Sequence, residues 1–130
     1  MALFGTEEWV DLLKVEVSKD KELPKAGKGF DAAIQFVVKS AGKRGELAFW
    51  AHMKDGKILE AAANDVNKKA EYVITGDYSV WQDIVAGKQD PIQAIMLKKL
   101  VFEGNIQMVM KYIKAVNLIM ESVKRIPTDF

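Results

Sequence analysis

Apolar side chains recur along the chain with two different periods, and the switches between them mark out the elements. Trp9, Leu12, Leu13 and Val17 follow helical spacing behind Thr6, whose hydroxyl can accept a free amide hydrogen, while Glu7 and Glu8 suit the positive end of a helix dipole. A helix is predicted from about Glu7 to Lys19. The stretch 20–29 mixes lysines with Pro24, Gly27 and Gly29, and reads as a loop or broken helical turn that could help gate an opening. From Phe30 the period becomes two: Phe30, Ala32, Ile34, Phe36 and Val38 share one face, alternating with Asp31, Ala33, Gln35 and Val37. A loop at 41–45 leads to a second strand at 46–53, in which Leu47, Phe49, Ala51 and Met53 share a face. Asp55-Gly56 signals a tight hairpin, since glycine takes the positive φ of a primed turn, and 57–63 supplies the returning strand. A polar turn around Asp65 and Asn67 precedes a fourth strand from Ala70 to Thr75. These strands are expected to form an antiparallel meander.

Beyond Gly76 the helical period returns, with Val80, Trp81, Ile84 and Val85 on one side, Asp77 as the expected cap and Gly87 as the stop. Asp90-Pro91 repeats the start signal, because the carboxylate accepts free amide hydrogens and proline at the first helical position loses no needed donor. The short helix that follows should carry Ile92, Ile95 and Met96. Residues 99–103 suit a fifth strand ended by Gly104, and Asn105 can cap a last helix running unbroken to about Arg125, roughly 30 Å at 1.5 Å per residue. That helix is apolar over far more than one stripe: Ile106, Met108, Val109, Met110, Tyr112, Ile113, Val116, Leu118, Ile119 and Met120 cover most of its circumference. Either its extra side packs on a second element or partner subunit, or it lines a cavity that an apolar ligand fills. Met96, Met108, Met110 and Met120 fit both readings, because unbranched thioethers fill gaps in a core and also conform to irregular apolar ligands.

With 130 residues, 49% of them hydrophobic, the chain suffices for a single domain over 1–130. The net charge of +1 provides no global field for nucleic acid, and the lack of cysteine removes disulfides, thiolate nucleophiles and cysteine-based metal centres. No uncharged run exceeds about seven residues, whereas a membrane span needs about 20 apolar ones. The opening Met1 to Glu8 lacks a basic segment leading into an apolar stretch, and Ile126 to Phe130 carries neither a prenylation box nor a peroxisomal ending. The expected address is cytoplasmic.

Candidate chemistry is sparse. His52, the single histidine, alternates away from the apolar face of its strand and is expected at the surface. Ser18, Ser40, Ser79 and Ser122 lie in no nucleophile-elbow context, and 25–29 resembles a phosphate loop without its G-x-x-x-x-G-K-[ST] spacing. No acidic cluster has calcium-loop spacing and no carboxylate pair is fixed for acid–base work, so neither metal, cofactor nor catalytic residue is expected. Every basic residue except Arg44 and Arg125 is lysine, which favours solvated heads over bidentate clamps. The clusters Lys19/Lys21/Lys25/Lys28 and Lys98/Lys99 therefore read as surface, or as a basic rim facing an anionic head group or membrane.

From Gly76 onward the residues carry a resemblance. Gly76-Asp77, Trp81, Ile84, Val85, Gly87-Lys88, Asp90-Pro91, Ala94, Leu100-x-Phe102, Gly104-Asn105-Ile106 and Met110-Lys111 resemble the sterol carrier protein 2 family of lipid-binding domains. The upstream helix, Phe-rich strand and Lys54-Asp55-Gly56-Lys57 hairpin stand in the family's order, so the likeness covers nearly the whole chain. It implies an α+β domain with a five-stranded, mainly antiparallel sheet covered by helices, and a tunnel between them that carries a sterol, fatty acid, acyl-CoA or phospholipid without catalysis. At matching positions, Phe36, Ile84, Val85, Ile92, Ile95, Met96, Ile106, Met110 and Ile113 are the implied tunnel residues. The glycine that the family places before the fifth strand is Lys98 or Lys99 here, and the missing peroxisomal ending makes the chain look like stand-alone prokaryotic members. The rival readings are a homodimeric interaction module and an accessory domain that presents lipid to a separate enzyme. Transient contact with a membrane surface is compatible with each.

Overall fold

The computed structural model describes residues 2–63 and 69–130. The elements run β1 (Ala2–Leu3), α1 (Glu7–Ser18), α2 (Leu23–Ala26), β2 (Asp31–Lys39), β3 (Leu47–Lys54), β4 (Lys57–Ala63), β5 (Tyr72–Asp77), α3 (Tyr78–Val85), α4 (Pro91–Met96), β6 (Leu100–Glu103), α5 (Ile106–Lys111), α6 (Ile113–Lys124) and β7 (Thr128–Asp129). The main sheet has five strands in the order β4-β3-β2-β5-β6. Its pairs are antiparallel except β2 with β5, which run parallel from Ile34↔Tyr72 to Lys39↔Asp77.

The expected meander therefore holds for β2, β3 and β4 but not for β5. Alternation specifies which face a residue takes, not which strand lies beside it, so a crossover leaves no mark in the pattern. On one face of the sheet the Trp50 indole Nε1 donates to the Lys69 carbonyl at 3.0 Å. The expected turn at Asp65 and Asn67 lies outside the described residues.

The helices lie on the other face: α1 against β4 and α6, α3 against β2 and β5, and α4 against β6. Thr6 caps α1 by accepting from the Trp9 amide at 3.3 Å. Under α1 the interior is solid. Phe4 and Trp9, 1% and 2% exposed, meet Phe49 edge-on at centroid distances of 5.8 and 5.5 Å. The chain ends close over this cluster, since β1 pairs parallel with β7 and the Trp9 indole donates to Thr128 Oγ1 at 3.0 Å. Arg125, just past α6, donates to Glu16 on α1 at 3.1 Å. This bond, with Lys19 beside it, holds the Glu16 carboxyl below its ordinary range.

At the opposite end α2 rests on the β3–β4 turn. Gly56 has φ +77, and a Cβ there would run into the Leu23 carbonyl, while one on Gly27 would lie 2.6 Å from the Gly56 Cα. Glycine at both positions permits a backbone-to-backbone contact that no side chain would allow.

The long last helix is interrupted. Tyr112 leaves helical geometry at φ −107°, ψ 30°, separating α5 from α6. No proline or glycine marks the break; the ring of Tyr112 instead packs edge-on against Phe30 at 5.3 Å. Lys98, where the family's glycine was expected, takes a left-handed φ of 62° to turn the chain into β6.

Candidate functional site

Between the sheet and the short helices the packing opens into a cavity of about 170 Å³. Its floor is the helix-facing side of the sheet: Ile34 and Phe36 from β2, Tyr72 and Ile74 from β5, and Leu100 and Phe102 from β6. Strand periodicity puts alternate residues of each strand on that floor. The roof comes from Trp81 and Ile84 of α3, Ile92 and Ile95 of α4, Val109 of α5, and Ala115, Val116, Ile119 and Met120 of α6. Leu23, Gly27, Phe30, Met53 and Gly56 close one end with Tyr112. Apolar atoms make up almost the whole wall, and the one indole that could interrupt it is turned away, donating from Trp81 Nε1 to the Val37 carbonyl at 3.1 Å.

Four residues implied by the resemblance, Phe36, Ile84, Ile92 and Ile95, stand on this wall. Five stand off it. Val85 is buried in the core cluster, and Ile106 is half-buried on α5. Met96, Met110 and Ile113 are 69%, 45% and 37% exposed. The break at Tyr112 explains the last two: it resets the helical phase, so Val109 and Tyr112 turn inward and their neighbours turn out. Among the wall residues not singled out, Phe30 and Ile34 lay on the same predicted strand face as Phe36, and Met53 on the face of Phe49. Those alternations were the signal that could have identified them. Ile119 and Met120 belong to the over-apolar surface of the last helix, which signalled a second contact without saying whether core, partner or ligand makes it; Tyr72 had no local signal that separated it from ordinary core.

The electrostatics of the cavity are those of an apolar site. Burial, with a smaller contribution from the Glu71 carboxylate, raises the Tyr72 phenol above its ordinary value of 10.0, so it stays neutral. His52 lies on the far side of the sheet, its Nε2 2.6 Å from Asp31 Oδ1. The arrangement can enclose a hydrocarbon segment by withdrawing it from water. Among the described residues no helix is long and apolar enough to cross a membrane.

The sequence profile of the SCP-2 sterol transfer family matches residues 11–117. A search of curated proteins gives no match. Among solved structures, the crystal structure of sterol carrier protein 2 superposes with a TM-score of 0.86 at 21% identity, covering 95% of this chain and 98% of that one. The solution structure of a conserved hypothetical protein from Thermus thermophilus, described there as possibly a sterol carrier protein, gives 0.88 at 20% identity, covering 99% and 93%. The solution structure of palmitated SCP2L2 from Aedes aegypti gives 0.62 at 15% identity, covering 87% and 95%. At these identities the likeness establishes a shared fold.

Proposed function

Because the chain belongs to the SCP-2 sterol transfer family, whose profile spans residues 11–117, we propose that it is a non-catalytic carrier that encloses the hydrocarbon part of a lipid in the cavity between its sheet and short helices. The observation that carries this reading is the cavity itself: about 170 Å³ walled by apolar side chains, in a protein whose other end is closely packed. An engineered apolar cavity of about 150 Å³ stays dry and takes up benzene, so a void of this kind is a receptor for carbon rather than for water. About six methylenes withdrawn from water contribute roughly 5 kcal/mol before ordering costs, at about 0.8 kcal/mol each. A longer chain gains further contact by reaching toward the rim.

Phe36, Ile84, Ile92 and Ile95 are the proposed contacts, together with Ile34, Ile119 and Met120. Loading requires α4 or α5 to part from the sheet, and both are short helices with little local cooperativity. The palmitate named for the Aedes aegypti relative supports an acyl chain as the occupant. Native mass spectrometry of freshly purified protein, followed by delipidation and titration with a fluorescent fatty acid, tests the proposal. A retained lipid-mass adduct and saturable uptake are expected. Absence of both, in folded protein, would overturn it.

A further inference from the structure

Beside the apolar cavity lies a second hollow of about 220 Å³ whose wall is predominantly polar. Ile84, Pro91 and Met120 belong to both walls, so the two spaces adjoin across these three side chains. α6 shows how one helix serves both: Val116 and Ile119 face the cavity, Asn117, Glu121 and Lys124 recur at helical spacing on the adjacent face, and Met120 sits between the two stripes.

Most polar groups of the second hollow are already engaged. Lys124 Nζ lies 3.1 Å from Glu121 Oε1. Asp90 Oδ1 accepts from the amides of Ile92 and Gln93 at 2.8 and 3.1 Å. Gln89 donates to the Asp90 carbonyl at 3.0 Å and accepts from Lys99 at 3.2 Å. Asn117 differs: among the described residues its carboxamide has no hydrogen-bond partner, leaving two donors and an acceptor for a ligand. The charge balance also discriminates. A carboxylate placed here meets Asp90 and Glu121, while the two lysines within reach are engaged, Lys124 with Glu121 and Lys99 with the Gln89 carboxamide. An uncharged hydroxyl meets no such repulsion.

We propose that this hollow is a head-group subsite for an amphiphile with an uncharged, hydroxyl-bearing head such as glyceryl, held by Asn117 while the tail passes Ile84, Pro91 and Met120 into the cavity. The inference rests on the carrier reading and adds the class of head to it.

The test is displacement of a fluorescent fatty acid by three competitors of one chain length, kept below their micelle thresholds: a monoacylglycerol, the free fatty acid and its methyl ester. The monoacylglycerol should bind about tenfold more tightly than either of the others at neutral pH. Asn117→Ala should abolish that advantage and leave the methyl ester unchanged. Glu121→Lys should strengthen the fatty acid severalfold by removing one repulsive charge and adding an attractive one. Both positions are exposed on α6, and thermal unfolding confirms that the variants are folded. Equal affinity for all three competitors, or an Asn117→Ala variant that keeps the preference, would overturn the subsite while leaving the carrier reading intact. Failure of the probe and of every competitor to bind would overturn both.

Discussion

Filling the cavity should separate stability from binding, and Ala115→Leu is the substitution that does so most cleanly. Ala115 is 7% exposed on α6 and its methyl forms part of the cavity wall. Leaving a void of about 170 Å³ open forgoes about 4 kcal/mol of stability, at roughly 24 cal/mol per Å³. Leucine adds three carbons, which bury about 2.4 kcal/mol of apolar surface and occupy about half of that void. Both routes give a gain of about 2 kcal/mol for the unloaded protein, or about 8 °C in melting temperature for a chain of this size. The same three carbons take the room of three ligand methylenes, so lipid affinity should fall about 50-fold. Thermal unfolding of delipidated protein and titration with a fluorescent fatty acid measure the two effects. Opposite signs are expected. A variant that loses about 1–3 kcal/mol, as overpacked cores do, while taking up lipid normally would refute the claim that this space is open and is the binding site.

Met110→Lys should leave fatty-acid uptake within about twofold of the parent, because Met110 is 45% exposed and off the cavity wall; a tenfold loss would place it in contact with the ligand after all. Arg125→Met should raise the Glu16 titration toward its ordinary value of 4.5, since the Arg125 hydrogen bond is the largest cause of its depression. The depressed carboxyl stabilises the fold above the unfolded value of 4.5 and ceases to do so as pH falls through the lower folded value, so the variant should show a flatter acid limb. NMR titration of the carboxyl together with unfolding at stepped pH checks this, and an unmoved Glu16 would remove Arg125 as the cause. Gly56→Ala should destabilise by at least about 2 kcal/mol in urea denaturation, from left-handed strain at φ +77 and collision with the Leu23 carbonyl; a change under about 0.5 kcal/mol would contradict the close approach.

What could be read from the chain beforehand was whatever depends on neighbours a few residues away. The caps at Thr6, Asp90 and Asn105 each use amides two or three residues downstream, and all three form, whereas Asp77 stands at the start of α3 without a side-chain capping bond. Strand faces follow from period two, which places Phe30, Ile34 and Phe36 together on the side that becomes cavity wall. Distant pairing left no trace: β1 and β7 are two residues each and meet from opposite ends of the chain. The parallel alignment of β2 with β5 is likewise a choice of neighbour, not of face. The break at Tyr112 has no local mark either, because it coincides with a ring contact to Phe30 across the fold. Without it the last helix has one phase, and Met110 and Ile113 appear to share a side with the cavity. With it they face solvent, while Ile84, Ile92 and Ile95, set by shorter helices whose ends the sequence marks, need no such correction.

The division of the interior also explains how a small domain can hold a void and remain folded. Phe36 marks the boundary: its ring stacks on Phe49 at 4.8 Å and 16°, joining the solid cluster of Phe4 and Trp9, and it also belongs to the cavity wall. On the solid side the cover is α1, twelve residues long, reinforced by the paired chain ends and by the Arg125 bond to Glu16. On the hollow side the cover includes α2, α4 and α5, of four, six and six residues, each too short to hold its shape without packing. Segments with few internal hydrogen bonds and a void beneath them open at lower free energy than the strands below. The aromatic cluster can therefore carry the global stability while α4 and α5 move. On the proposed carrier reading, a ligand that fills the cavity replaces the packing those helices lack, so loading should tighten α4 and α5.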